Sequence, residues 1–412
     1  MTYHAMPSFR ICIFTALAMT MTLVFFILFL FSAGLIFYSY VIYPIILNLI
    51  SRPKKNNEIC WTSTDELPPV SIILSVFNEK IVILDKLKSI SNLNYPAGKL
   101  EILIGSDCSD DGTDEILMQQ SSLDSRIRFI RFEKRRGKPS VINDLLLMTK
   151  NPVLIMTDAN VMFDPEVINK LVRHFRNPKI GLVGANIVNI GMKRDGISEQ
   201  EKSYIERENL IKYREGVCWG TMMGPFGGCY AMRKELYEAV PPNFLVDDFY
   251  ICMQVLIKKY SCISEPAAVC YEDVSNDLRQ EYKRKSRISA GNFQNLTALG
   301  KHLCNPFSAL GFCFLSHKLI RWFTPFLILI SICSLAYLSL ENSLCFILLI
   351  GELLLISSPL FDLVIRKMGF HPRLLRYVAY FSYMNLALLR GFFNYSSGVK
   401  GSTWTPTKRN PV

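Results

Sequence analysis

The chain has 412 residues, half of them hydrophobic, and a positive mean hydropathy. That size accommodates one large α/β domain, and the apolar excess excludes an ordinary soluble enzyme. The formal charge of +11 fits nucleic acid, anionic lipid or the basic flanks of transmembrane helices. No basic face interleaved with aromatics stands out, so nucleic acid is not an expected partner. The twelve cysteines are scattered without zinc-type CxxC spacing, as expected of buried thiols in a reducing compartment.

No charge occurs from Ile11 to Ser51, about twice the length one bilayer crossing needs. The run could be one long helix or a hairpin breaking near Ser32–Gly34. No polar loop separates two halves, so one principal span near Leu23–Tyr43 is expected. It is too long for a cleaved signal peptide. The basic flank Arg52, Lys54 and Lys55 places the following domain in the cytoplasm.

From Pro69 to about Gly300 short apolar runs alternate with helix-length segments. Strands are expected at Val70–Val76, Leu100–Gly105, Ile127–Phe132 and Val153–Thr157. Helices are expected at Lys80–Ile90, Thr113–Gln120 and Ser140–Thr149. Repeated βαβ units imply a mostly parallel, Rossmann-like α/β sheet covered by helices. The membrane returns at Trp322–Leu340 and again at Leu344–Ile365, which carries Glu352. The short loop Glu341–Ser343 lacks Lys and Arg, whereas Arg366, Lys367, Arg373 and Arg376 follow the second span. This asymmetry puts the short loop outside and the basic loop inside. Tyr377–Phe393 could be a further span or an interfacial helix. Lys400, Lys408 and Arg409 favour a cytoplasmic end and hence the interfacial or re-entrant reading. Ala309–Ile320 could lie along the membrane surface. The expected division is a transmembrane region over 1–52, a cytoplasmic α/β domain over 53–300, and an interfacial helix with C-terminal transmembrane helices over 301–412. The expected setting is an integral protein of a bacterial inner membrane.

Ligands of open α/β sheets bind outside the carboxyl ends of the strands. Acidic and amide side chains gather at those ends here. Asn78 and Glu79 end the first strand. Asp107 ends the second, with Asp110, Asp111, Gly112 and Thr113 behind it, and Asp158 ends Val153–Thr157. Any one of these acids could be a turn or capping residue, above all Asp110 or Thr113. Asp107 and Asp158 together point to a site.

These segments resemble family 2 glycosyltransferases, the inverting GT-A enzymes that include cellulose, hyaluronan and poly-N-acetylglucosamine synthases. The resemblance runs from Val70 to about Leu296. Ser71 to Glu79 is similar to the opening strand, and Ser106 to Thr113 to the nucleotide-binding turn. Arg136 to Asn143 is similar to the basic GK segment. Thr157-Asp158-Ala159-Asn160 occupies the DxD position, with Asn in place of the second acid. Gly227-Gly228 matches the acceptor-side loop, and Val246-Asp247-Asp248 stands where the family has its ED base motif. Arg284 to Ile288 falls where processive members carry QxxRW. Each motif alone is weak; their order and spacing together are specific.

The resemblance implies a GT-A domain flanked by transmembrane helices and a UDP- or GDP-linked sugar as donor. It also implies a glycan or lipid-linked acceptor and a divalent cation, Mg or Mn. Charge grows on the departing diphosphate, which a cation and basic groups must stabilise. Asp158 is then the metal ligand. Asn160 could still offer a neutral oxygen, or it could simply cap the next helix. Asn78, Glu79, Asp107, Asp111, Lys138, Asn160, Arg284, Lys285 and Arg287 are expected on the donor side. Asp107 should accept hydrogen bonds from the base or ribose. Lys138 should meet the nucleotide, although it also sits in a basic loop with Lys134, Arg135 and Arg136. The GK pair lacks the glycine spacing of a Walker loop. Gly227, Gly228 and Asp247 are expected on the acceptor side, and Asp248 as the general base. Asp247 and Asp248 could instead only start a helix over Phe249–Lys258, where acids favour the dipole. The three basic residues could instead form a helix face on the membrane surface. Ile288 replaces the processive enzymes' Trp, which favours addition of one sugar; Cys218, Trp219 and Phe226 could supply an aromatic acceptor surface. A processive polysaccharide synthase and a catalytically silent membrane scaffold are the competing readings. The acids are not arranged as the single carboxylate pair of a glycosidase.

Overall fold

The computed structural model describes residues 6–52, 54–62, 65–191, 197–273, 277–370, 372–399 and 401–403. The tail residues Lys400, Lys408 and Arg409 lie outside them. The chain divides into two units, Met1–Tyr43 with Leu319–Leu389, and Pro44–Lys318 with Arg390–Val412.

In the second unit the elements follow in the order α2 (Tyr43–Ser51), β1 (Val70–Val76), α3 (Ile83–Ser91), β2 (Leu100–Ser106), α4 (Thr113–Leu123), β3 (Ile127–Arg131), α5 (Lys138–Met148), β4 (Val153–Thr157), β5 (Val161–Phe163), α6 (Val167–Val172), β6 (Ile180–Ile190), α7 (Ser198–Trp219), β7 (Cys229–Arg233), α8 (Asp247–Ile257), β8 (Ser261–Asp273), α9 (Leu278–Leu303) and α10 (Ala309–Cys313). Eight strands form one sheet in the order β3-β2-β1-β4-β7-β6-β8-β5. The first four expected strands are present and mutually parallel. The chain reverses direction at β7, which runs antiparallel to both β4 and β6.

β1 reads VSIILSV and every residue of it is buried, as a central parallel strand covered on both faces requires. On α3 the apolar Ile83, Leu87 and Ile90 share one buried stripe. Lys86 lies on the same face. Its ammonium is fully buried and donates to Thr157 Oγ1 at 2.8 Å and to the Val161 carbonyl at 2.5 Å. Register then sets the site. Val76 pairs with Ser106, and Leu74 with Thr157, so β1, β2 and β4 end along one edge. Asn78, Asp107 and Asp158 follow those ends directly.

The first unit is helical: α1 (Met6–Phe37), which passes through a π-turn over Tyr38–Ile42, then α11 (Ile320–Leu338), α12 (Ser343–Lys367) and α13 (Arg373–Ser396). Ser32–Gly34 lies inside α1 without a break. Phe25 of α1 stacks on Tyr337 of α11 with ring centroids 4.4 Å apart. The Ser331 hydroxyl of α11 donates to Glu352 of α12 at 2.8 Å, so the acid in the middle of that helix has a partner. Among the described residues three helices are long and apolar enough to cross a membrane, over Met19–Ser51, Ala309–Leu338 and Ser343–Lys367. α13, which contains Tyr377–Phe393, is not one of them. Ala309–Ile320 differs from its expectation as a surface helix. It runs through a π-turn, Phe314–Leu319, that buries Phe314, Ser316 and His317.

Candidate active site

The turn after β1 and the turn after β2 are tied into one structure. Asn78 takes a left-handed backbone (φ 53°), which asparagine tolerates better than most residues. Its amide donates to Asp110 Oδ1 at 2.7 Å, and its own oxygen accepts the Asp110 N–H at 3.0 Å. The Glu79 N–H donates to the Thr113 hydroxyl at 3.0 Å, and the Lys80 N–H to Asp111 at 3.1 Å. Asp111 also accepts the N–H and hydroxyl of Thr113. Partial burial works against its charge, but these hydrogen bonds prevail and hold its carboxyl below the usual range.

Asp107 corrects the expectation for it. It is completely buried, and its two carboxylate oxygens accept the backbone N–H groups of Arg136 at 2.7 Å and Gly137 at 2.9 Å. A carboxylate so engaged fixes the loop that precedes α5; it is not presented to a base or ribose. Its effect on the site runs through Lys138, the next residue of that loop.

Lys138 is the centre of the site. Its ammonium lies 2.7 Å from Asp158 Oδ1 and 3.5 Å from Asp247 Oδ2. Burial opposes its charge, yet Asp158 and Asp247 hold its pKa above the ordinary value, so it stays protonated. Asp158 emerges from β4 with its N–H on the Gly228 carbonyl at 3.3 Å, and Thr157 donates to the same carbonyl at 2.9 Å. The glycine pair is therefore clamped to the DxD-like loop. A Cβ on Gly227 would lie 2.9 Å from Asp248 Oδ2, and one on Gly228 would lie 2.8 Å from Val161. Neither position has room for a side chain without displacement.

Asp247 and Asp248 open α8, as the helix-start reading expected, and they also face the site. Asp248 accepts the Phe249 N–H at 2.8 Å. Burial, reinforced by the like charge of Asp247 and opposed by Lys138, pushes its carboxyl up to about 6. That is a suitable range for a base at neutral pH.

The basic cluster on α9 splits. Burial and Arg284 lower the Arg287 guanidinium, while Asp247, Asp158 and Asp248 oppose that shift, so Arg287 stands within the field of the site acids. Lys285 does not serve the donor side. Its ammonium lies 3.1 Å from Glu201 on α7 and 3.4 Å from Glu281, a buried ion-pair group. Arg284 pairs with Glu281 at 3.4 Å. Trp219 packs edge-on against Phe312.

Sequence reasoning missed several polar residues in and around the site. Lys212 of α7 is buried, and its ammonium lies 3.5 Å from the centre of the Phe226 ring, next to Gly227. Burial and Lys318 push it down to about 7. Glu208 and Glu215 bracket His317, with Glu215 2.7 Å from its Nδ1 and Glu208 3.1 Å from its Nε2. The one available signal was the recurrence of Glu201, Glu208 and Glu215 two helical turns apart, which puts all three on one face of α7. Glu272, at the end of β8, accepts the Asn160 amide at 2.8 Å.

The oxygen donors Asp158 and Asn160 suit a hard divalent cation that completes its shell with diphosphate and water. Among the described residues no cluster of three His, Cys, Asp or Glu forms a self-sufficient metal cage. Eleven of the twelve cysteines, all but Cys12, are in no disulfide.

The chain is similar to known proteins in both sequence and fold. A poly-beta-1,6-N-acetyl-D-glucosamine synthase of Staphylococcus epidermidis is 23% identical over 250 residues, 60% of each chain. The protein of that name from Staphylococcus aureus strain COL is 24% identical over 239 residues, 57% of each. The chain thus spans less than two thirds of the curated relatives it matches. Among solved structures, the mannosyltransferase PcManGT from Pyrobaculum calidifontis, in complex with GDP-Man and Mn2+, superposes with a TM-score of 0.69 at 19% identity. The match covers 91% of this chain and 99% of that one. The fold is accordingly GT-A. The family described as Glycosyl transferase family 2 matches residues 71–240 of the chain.

Proposed function

We propose that this chain is an inverting glycosyltransferase. It moves a sugar from a UDP- or GDP-linked donor to a glycan or lipid-linked acceptor, with its catalytic domain at the cytoplasmic face of a membrane. The observation that carries this reading is Lys138, held between Asp158 and the Asp247–Asp248 pair where the strands end. One cation joins the donor-side acid to the acceptor-side acids. The GDP-Man and Mn2+ of the PcManGT complex support a nucleotide-sugar donor and a divalent ion.

Asp248 takes the proton of the acceptor hydroxyl as that oxygen attacks the anomeric carbon. The new C–O bond forms while the bond to the diphosphate breaks, the configuration inverts, and nucleoside diphosphate leaves with the electron pair. Lys138, and Arg287 beside the same acids, supply positive charge where negative charge grows. A divalent cation held by Asp158 and the Asn160 oxygen would neutralise the diphosphate further. Gly227 and Gly228 let the acceptor loop approach Asp248 and the Asp158 loop closely.

A second reading, repeated addition to give a polymer, is favoured by the names of the staphylococcal relatives. Purified full-length protein incubated with a panel of nucleotide sugars, with and without Mn2+ or Mg2+, should release nucleoside diphosphate with one of them. Asp248→Asn should reduce that release by about 10²–10⁴-fold. Release that is absent with every donor would leave the silent-scaffold reading instead, and release unaltered by the substitution would remove Asp248 from the role of base. Product length separates single addition from polymerisation.

A further inference from the structure

The second acid of the DxD position is missing from this chain, and the fold supplies a reason. β5 begins one residue after Asn160 and pairs antiparallel with the end of β8, Val161 opposite Glu272. The ladder therefore delivers the Glu272 carboxylate beside residue 160. Asn160 Nδ2 donates to Glu272 Oε1 at 2.8 Å. A carboxamide has one donor end and one acceptor end. Once Glu272 holds the nitrogen, Oδ1 is the end left for another partner. An aspartate at 160 would bring two carboxylates into this contact, and one of them would have to stay protonated or share a cation.

Two other contacts immobilise the same loop. Lys86 supports it from within by donating to Thr157 Oγ1 and the Val161 carbonyl. The Gly228 carbonyl receives Thr157 and the Asp158 N–H. Lys138 holds the Asp158 carboxylate, and Glu272 adds the contact that acts on the side chain of Asn160.

We propose that Glu272 is a positioning residue that orients the Asn160 amide, presenting Oδ1 as the neutral companion of Asp158 toward a divalent cation. The Asn160–Glu272 pair takes the place of the second acid, with its negative charge set one group back from the ion. This rests on the reading of Asp158 as the cation-binding residue. A partner that orients a metal ligand contributes roughly 10–100-fold to affinity.

The test is Mn2+ binding to the full-length protein, followed by the electron paramagnetic resonance signal of free Mn2+, with UDP and GDP as separate arms. It needs no turnover. Glu272→Ala should weaken Mn2+ binding about 10–100-fold. Glu272→Gln keeps an acceptor oxygen and the side-chain shape, so it should weaken binding less. In the exchanged pair, Asn160→Asp with Glu272→Gln, the glutamine amide donates to the new carboxylate; it should bind Mn2+ more tightly than Asn160→Asp alone. Glu272→Ala titrating like the parent, or an exchanged pair no better than Asn160→Asp, overturns the inference and leaves the transferase reading standing. Parent protein that binds no Mn2+ with either nucleotide overturns the cation reading itself, and this inference with it.

Discussion

In the proposed reaction Asp248 would serve as the base because its surroundings compete. Burial and the charge of Asp247 raise its carboxyl, and Lys138 pulls it back. A raised carboxyl pKa means that Asp248 holds a proton below about pH 6 and loses it above. kcat/KM should therefore fall on the acid side, with a limb near pH 6. Asp247→Asn removes the like charge and should move that limb to lower pH. A limb that stays in place would show that Asp247 does not set the charge of Asp248. The sequence made Asp158, Lys138 and Asp248 legible because they sit at strand ends or helix starts in the family order. It misled at Asp107, where an acid after a strand is visible but the return of the Arg136–Gly137 backbone onto it is not. It misled at Lys285 for a similar reason, since the partner Glu201 lies on another helix. Glu272 was invisible because the contact joins residues more than a hundred positions apart, through a strand pairing that no local pattern reveals.

At the scale of elements, the parallel half of the sheet was readable and the rest was not. β1 and β4 are continuous apolar runs bounded by turns. β8 contains Pro266, and its register against β6 shifts at Ala185/Asn186, so neither alternation nor a clean run marks it. α7 is harder still, because its buried face carries Glu201, Glu208, Lys212 and Glu215. Glu201 is explained by Lys285 of α9, and Glu208 and Glu215 by the π-turn Phe314–Leu319, which presents His317 between them. π-turns widen a helix locally and are frequent where a side chain must be re-aimed. The Glu215 carboxylate also accepts the Met223 N–H at 3.1 Å, at the entrance to the loop that carries Gly227 and Gly228. The cluster therefore braces the start of the Gly227–Gly228 loop as well as α7. His317→Leu would remove the imidazole shared by the two buried acids, leaving Lys318 beside Glu208 and the Met223 N–H on Glu215, and the lost charge-assisted hydrogen bonds cost about 1.5–3 kcal/mol. Thermal unfolding of the full-length variant in detergent should show a clearly lowered midpoint. An unchanged midpoint would mean that Glu208 and Glu215 are satisfied without the imidazole.

At the scale of the whole molecule, the distribution of charge predicts an orientation for the candidate spans. Among the described residues three helices have the length and apolar character to cross a bilayer, and basic residues mark the ends of two of them, Arg52, Lys54 and Lys55 after the first and Arg366 and Lys367 in the last turn of the third. The turn between α11 and α12, Glu341–Ser343, carries an acid and no base. Short-loop Lys and Arg residues stay on the cytoplasmic side. Three crossings satisfy this rule at every loop: the residues after Ser51 and those after Lys367 share one side, and Glu341–Ser343 faces the other. The alternative, in which α13 also crosses, would move its end to the outer face. That helix opens on Arg373 and Arg376, carries Arg390 about two turns from its end, and is not among the helices apolar enough to cross. An epitope inserted at Asn342 should therefore be recognised by antibody on intact cells, whereas epitopes inserted at Lys55 and after Gly369 should be recognised only after permeabilisation. Recognition of the Lys55 epitope on intact cells would place the α/β unit outside, away from the cytoplasmic pool of nucleotide sugars, and would remove the donor from the proposed reaction.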